Sequence, residues 1–150
     1  MDAKLKEVKF GGLVFQVPEV WVVETENYEE PDGRTCASID VSALPGDVRS
    51  IVLSYGPMPE GSDPLMEAAG TFEEIIEGEA SEEDIDNYQF QDYPAYGFDF
   101  ESEDGQLCNF MCVGIEAGEE TKLLTILTSA ASENDLCDLL DFVVEYLDFE

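Results

Sequence analysis

The stretch from Tyr93 to Ala130, YPAYGFDFESEDGQLCNFMCVGIEAGEETKLLTILTSA, limits the fold more than any other part of the chain. Tyr96, Phe98 and Phe100 alternate with Gly97, Asp99 and Glu101. A period of two places aromatics on one face of a strand and small or polar groups on the other. Glu103, Asp104 and Gly105 follow as turn residues, because glycine takes the positive φ that a tight hairpin needs. From Gln106 to Ile115, Cys108, Phe110 and Cys112 share one face; Leu107, Met111 and Val113 share the other with Asn109. A second turn at Ala117, Gly118, Glu119 and Glu120 leads into Thr121 to Ala130. That third strand is apolar both ways, with Leu124 and Ile126 opposed to Leu123 and Leu127, which predicts cover on both sides. The stretch reads as a three-stranded antiparallel meander at the centre of an α+β domain.

The remaining chain extends or covers that meander. Val8 to Val23 predicts a hairpin that turns at Gly11 and Gly12, with Pro18 ending its second strand. Trp21, the only tryptophan, follows as a core or edge anchor. Glu24 to Arg34 reads as a polar turn region rich in acids. Thr35 to Ala43 and Arg49 to Tyr55 read as strands, separated by Pro45 and Gly46. Asp63 and Pro64 open a helix as N-cap and first residue, with Leu65, Ala68, Ala69, Phe72, Ile75 and Ile76 as its apolar stripe. Gly78 is its expected stop, and Gly70 inside it suggests a close helix–sheet contact. Tyr88 and Phe90 alternate on the way back into the sheet. Ser132 and Asp135 start a last helix, whose buried stripe is Leu136, Leu139, Leu140, Val143 and Leu147. At 150 residues, with no internal repeat and no long linker, the chain predicts a single domain over residues 1–150.

Charge narrows the function. Thirty-six Asp and Glu face six Lys and Arg, for a formal net charge of -30. The acids are interleaved with aromatics along the whole chain, which points to an acidic folded surface and not to a disordered tail. Such a surface repels nucleic acid, anionic membranes and acidic substrates, and attracts cations and basic proteins. The densest run, Glu73 to Asp86, makes Glu79, Glu82, Glu83, Asp84 and Asp86 the candidate binding residues. No stretch is apolar for the roughly 18 residues a membrane span needs. The start, MDAKLKEVKF, lacks the apolar core of a secretion signal, so a cytoplasmic protein is expected. Its four cysteines, Cys36, Cys108, Cys112 and Cys137, are then expected to be reduced and buried.

Catalytic signatures are sparse. The chain has no histidine, which removes Ser-His-Asp and Cys-His nucleophilic sites and most transition-metal sites. Cys108 and Cys112 are four residues apart on one strand, about 13 Å along it, too far to share a zinc ion or a disulfide. Glu82, Glu83, Asp84 and Asp86 lack the Asp-x-Asp-x-Asp-Gly pattern of a calcium loop, so they read as a solvated acidic face. Gly11-Gly12 is a hairpin turn and no phosphate-binding glycine loop. Among so many acids a pair at glycosidase spacing carries no information. No catalytic residue, metal or cofactor is therefore expected.

Three stretches resemble the PsbP-like fold family, which includes an extrinsic photosystem II subunit and a nuclear-import protein that binds the GTPase Ran. They are FQVPEVW at Phe15 to Trp21, the Tyr93-Pro94-Ala95-Tyr96 entry into an alternating strand, and the aromatic close from Tyr146 to Phe149. The resemblance implies a central antiparallel sheet of about six or seven strands with two main helices packed on it, and mostly non-catalytic binding or assembly roles. It transfers no binding residue. The expected function is a non-enzymatic cytoplasmic protein-binding or adaptor module that engages a basic or partly apolar protein. A nucleic-acid mimic that inhibits a DNA-binding protein is the alternative, as is a weakly calcium-binding or carboxylate-based enzyme.

Overall fold

The computed structural model describes residues 4–31, 33–43, 47–76, 84–117 and 119–149. Its strands and helices run, in chain order, β1 (Leu5–Phe10), β2 (Leu13–Pro18), β3 (Val22–Glu29), β4 (Thr35–Ser42), β5 (Ser50–Pro57), α1 (Pro64–Ile76), β6 (Asp86–Phe90), β7 (Tyr93–Glu101), β8 (Leu107–Ala117), β9 (Glu120–Ala130), α2 (Glu133–Tyr146) and β10 (Leu147–Phe149). Seven strands make an antiparallel sheet in the order β3-β4-β5-β9-β8-β7-β6, and three make a second in the order β1-β2-β10. The expected α+β architecture, a large antiparallel sheet with two helices packed on it, is what the chain adopts.

Alternation along the strands decides which face is buried. Ala37, Tyr55, Leu124, Val113 and Ala95 lie opposite one another across five strands, all buried. Ile39, Leu53, Ile126 and Met111 form the next row, which ends at Gly97. Leu13, Phe15 and Val17 of β2, together with Leu136, Leu139 and Val143 of α2, close over these rows as the main core. The reverse face is covered only in part. There α1 packs Ala68 and Phe72 over Phe98, Cys112 and Leu123, with Phe72 edge-on to Phe98 at 5.1 Å. Leu123 is thus buried from behind as expected, whereas Leu127, four residues on along the same face, is only half-buried.

Several local expectations meet the structure directly. Met66 N–H donates to Asp63 Oδ1 at 2.8 Å, and Asp135 N–H donates to Ser132 Oγ at 3.2 Å, so both helices are capped by the side chains named above. Other expectations are corrected. Residues Glu24 to Glu29 are not a turn: they complete β3, an edge strand whose acids point mostly to solvent, a standard protection for an open sheet edge. Val22 and Val23 accordingly belong to the large sheet and not to the first hairpin. Leu147 leaves α2 at its C-cap, and Leu147–Phe149 becomes β10 beside β2. Gln91 locks that connection, donating from Nε2 to the carbonyls of Val144 and Leu147 at 3.2 and 2.7 Å. Gly70 sits on the exposed side of α1, and a Cβ there would meet nothing within 4 Å. The close helix–sheet contact expected for Gly70 is made at Gly114 against Pro64, and inside the sheet Gly97 is tight as well, where a Cβ would collide with the Phe110 carbonyl and come within 2.9 Å of Met111 Cα. Gly78, the expected stop of α1, lies outside the described residues.

The two glycines should respond oppositely to alanine. Gly97→Ala forces backbone apart inside the sheet and is expected to destabilise by about 3 kcal/mol. Gly70→Ala removes only helix-opposing chain entropy and is expected to stabilise by about 0.5–1 kcal/mol. Urea unfolding midpoints of both variants check this; a destabilised Gly70→Ala would show that α1 is packed differently from this description.

Candidate functional site

The acidic run proposed from the sequence is only partly visible. Glu79, Glu82 and Glu83 lie outside the described residues. Asp84 is exposed in the turn before β6. Asp86 opens β6, exposed, and accepts a long hydrogen bond of 3.4 Å from the Tyr88 hydroxyl. Tyr88 also receives a hydrogen bond from Asn109 Nδ2 at 3.3 Å, while Asn109 donates a second to Asp99 at 2.8 Å. Burial first, and the Asp99 carboxylate next, push the Tyr88 hydroxyl up to about 12, so it is a neutral donor at physiological pH. Asn109 and Thr128 are the buried polar residues here, at the end of a row that begins with Val41 and Ile51.

Acids elsewhere have few counter-charges, and four of the six basic groups are already engaged. Lys6 Nζ donates to the Trp21 carbonyl at 2.7 Å, Arg34 Nη1 to that of Pro57 at 2.8 Å, and Lys122 Nζ stands 5.2 Å from the Tyr55 ring centroid. On α2, Asp138, Asp141 and Glu145 project outward with no basic residue in the last turn. Like charges spaced three and four residues apart on a helix repel. Among the described residues no three acids or thiols converge on a point that could hold a metal ion.

Two places combine charge with apolar surface. The first surrounds Trp21. Its ring packs 6.4 Å from Phe142, and the Arg49 guanidinium lies 5.1 Å over it. Asp47 fixes that guanidinium through contacts of 2.6 to 3.1 Å, which hold the Asp47 carboxyl below its usual range and raise Arg49. The chain neighbours of this pair, Val20 and Val22 on either side of Trp21 and Val48 before Arg49, are 64%, 55% and 42% exposed. Asp135 and Asp138 stand at the edges of the adjoining hollows. Trp21 is thus the edge anchor expected from the sequence.

The second is a cleft of about 500 Å³ where α1 begins. Its floor is the reverse face of the large sheet, at Tyr96, Gly114, Glu116 and Thr121; Asp63, Pro64 and Leu65 form one wall, and Asp92 and Tyr93 of the β6–β7 turn form another. A Cβ at Gly114 would come within 3.0 Å of Pro64 Cγ, so a bare backbone at that position is what lets the start of the helix pack this close to the sheet.

No family model matches the chain, and no curated protein matches it. Among solved structures it is similar to LpqN of Mycobacterium tuberculosis, described as involved in cell envelope biogenesis. The two share a TM-score of 0.51 at 16% identity, over 96% of this chain and 89% of that one. At that identity the likeness speaks for the fold. Among the described residues no helix is long and apolar enough to cross a membrane.

The cysteines divide by position. Cys108 and Cys112 share one face of β8 as their spacing implied, and both are buried, Cys112 beneath α1; Cys36 is buried within β4. Burial, with Glu67 next in effect, pushes the Cys112 thiol up to about 12, far from a reactive thiolate. Cys137 corrects the expectation of four buried thiols: it lies on the outward side of α2 between Leu136 and Asp138, exposed. The spacing of the α2 stripe held that signal, since Cys137 falls outside it. A thiol reagent applied to the native, reduced protein is expected to label one cysteine quickly and the other three only on unfolding; fast labelling of Cys112 would contradict this packing.

Proposed function

We propose that the chain is a non-enzymatic protein-binding or adaptor module of the cytoplasm, PsbP-like in fold, that engages a basic and partly apolar protein surface. The observation that carries this reading is the Trp21 end of the molecule. Trp and Arg are the residues that dominate binding energy at protein interfaces, most of all where water is excluded around them. Here they are stacked and held by Asp47, beside three exposed valines, with carboxylates at the margin. Preordering the arginine lowers the entropy lost when a partner docks. The surrounding negative field favours a basic partner and speeds its encounter at low salt.

The test is affinity capture on immobilised protein from source-cell lysate, eluted in steps of rising salt, beside a Trp21→Ala variant. A basic protein that leaves wild type at a defined salt step, and that binds Trp21→Ala at least about tenfold more weakly, is the expected result. Retention that neither salt nor Trp21→Ala alters removes the reading. The outward carboxylates of α2 favour a second reading, a nucleic-acid mimic. Asp138, Asp141 and Glu145 repeat at about 4.5 and 6 Å along the helix axis from its rise per residue, giving a line of negative charge. Displacement of duplex DNA from a DNA-binding protein, lost in Asp138→Asn/Asp141→Asn, is the outcome that reading requires.

A further inference from the structure

We infer that the cleft at the start of α1 is a binding site for a single cationic side chain, lysine or arginine, presented by a peptide segment. The inference rests on the protein-binding reading only for the source of that side chain; its geometry is separate from the Trp21 end. The cleft, about 500 Å³, is within the size range of ligand sites and has room for one long side chain with its flanking backbone. At one end of it Gly114, lacking a side chain, lets Pro64 at the start of α1 pack directly onto the sheet.

The chemistry of the walls selects the charge. Asp63, Asp92 and Glu116 line the cleft, and no basic side chain does. They stand around it without converging into a metal cage. An extended organic cation that touches several sides fits that spacing better than a bare ion, which needs its oxygens gathered within about 2.6 Å. Tyr96, on the cleft floor, supplies the aromatic surface on which a guanidinium or ammonium group gains further attraction when its centre comes within about 6 Å of the ring. One effect opposes a cation. The N-terminus of α1 faces this region with a partial positive charge of roughly half a unit. Asp63 caps that end with a full negative charge, and Glu67 adds a second within the first turn, so the sign of the wall remains negative.

The test uses a capped Gly-Arg-Gly peptide, titrated at low salt into isotopically labelled protein and followed by amide chemical shifts. A matching peptide with neutral citrulline in place of arginine is the control. Saturable shifts centred on Tyr96, Gly114 and Thr121 with arginine, and none with citrulline, are expected. Asp92→Asn/Glu116→Gln should weaken binding about fivefold or more. Asp138→Asn/Asp141→Asn, the same loss of charge on α2, should change it less than twofold. Equal weakening by the two double variants, or shifts spread along α2, would reduce the effect to the general ionic atmosphere of a chain at -30 and overturn the site. Both double variants change exposed residues, so the comparison does not depend on a core substitution being tolerated. Small-peptide binding at this cleft can fail while capture through Trp21 succeeds, and the reverse, so the two readings fall separately.

Discussion

Burial of one face of the seven-stranded sheet is the interaction on which the rest of the molecule depends. That face is apolar in successive cross-strand rows, and β2 and α2 close over it. Each fully buried Leu, Ile or Phe contributes about 1.5–3 kcal/mol, and Phe15, Ile39, Leu53, Leu124 and Ile126 are all in this class. The small sheet exists to serve that closure. A two-stranded hairpin of β1 and β2 would be marginal alone, and β10 gives it a third strand exactly where α2 ends. Gln91 then ties the end of α2 to the opposite edge of the large sheet, so helix, small sheet and large sheet share one junction.

Against that burial stands the charge. Two like charges 4 Å apart in bulk water repel by roughly 1 kcal/mol, and salt screens them beyond about 8–10 Å. The chain lowers the cost by position rather than by pairing. The acids of β3 point outward from an edge, and those of α2 lie on the side away from Leu136, Leu139 and Val143. Of the basic residues, Arg49 pairs with Asp47 while stacking on Trp21, Lys6 and Arg34 serve backbone carbonyls, and Lys122 stands over an aromatic ring. A surface so arranged keeps its field available to an external cation or a basic protein, because little of it is neutralised internally.

The core was legible in the sequence for a physical reason. Period-two alternation in β4, β7 and β8, and the capped stripes of α1 and α2, are local signals, and local signals need no knowledge of neighbours. What was missed depends on neighbours. The acids of β3 look like a turn in isolation; pairing with β4 at an edge is what makes that stretch a strand. Leu147 continues the helical spacing of α2, yet the free edge of β2 captures it. Gly70 and Gly97 carry the same letter, and only the packing tells that one faces open space and the other a backbone carbonyl. The candidate sites follow the same rule. Trp21 was recognisable as an anchor because a lone tryptophan has to pack somewhere. Its stacking under Arg49, 28 positions later in the chain, was not recognisable.

The cleft is the clearest case of a feature that no single segment contains. Three turns of chain meet there: the cap of α1, the β6–β7 turn and the β8–β9 end of the meander. Each has its own structural reason. Asp63 is present to cap a helix, Asp92 to complete a tight turn after Gln91 at φ 56, and Gly114 to let Pro64 approach the sheet. α1 packs over Phe98 of β7, Cys112 of β8 and Leu123 of β9, its first residue rests on Gly114, and the cleft opens beside that turn. A side chain at Gly114 would meet Pro64 and lift the start of α1 away from the sheet. The cleft is therefore a consequence of how α1 must dock, and the carboxylates that line it were already placed by turn and cap chemistry. A negatively lined hollow at this position costs the fold nothing further, and that makes it a natural place for a cationic partner group to be received.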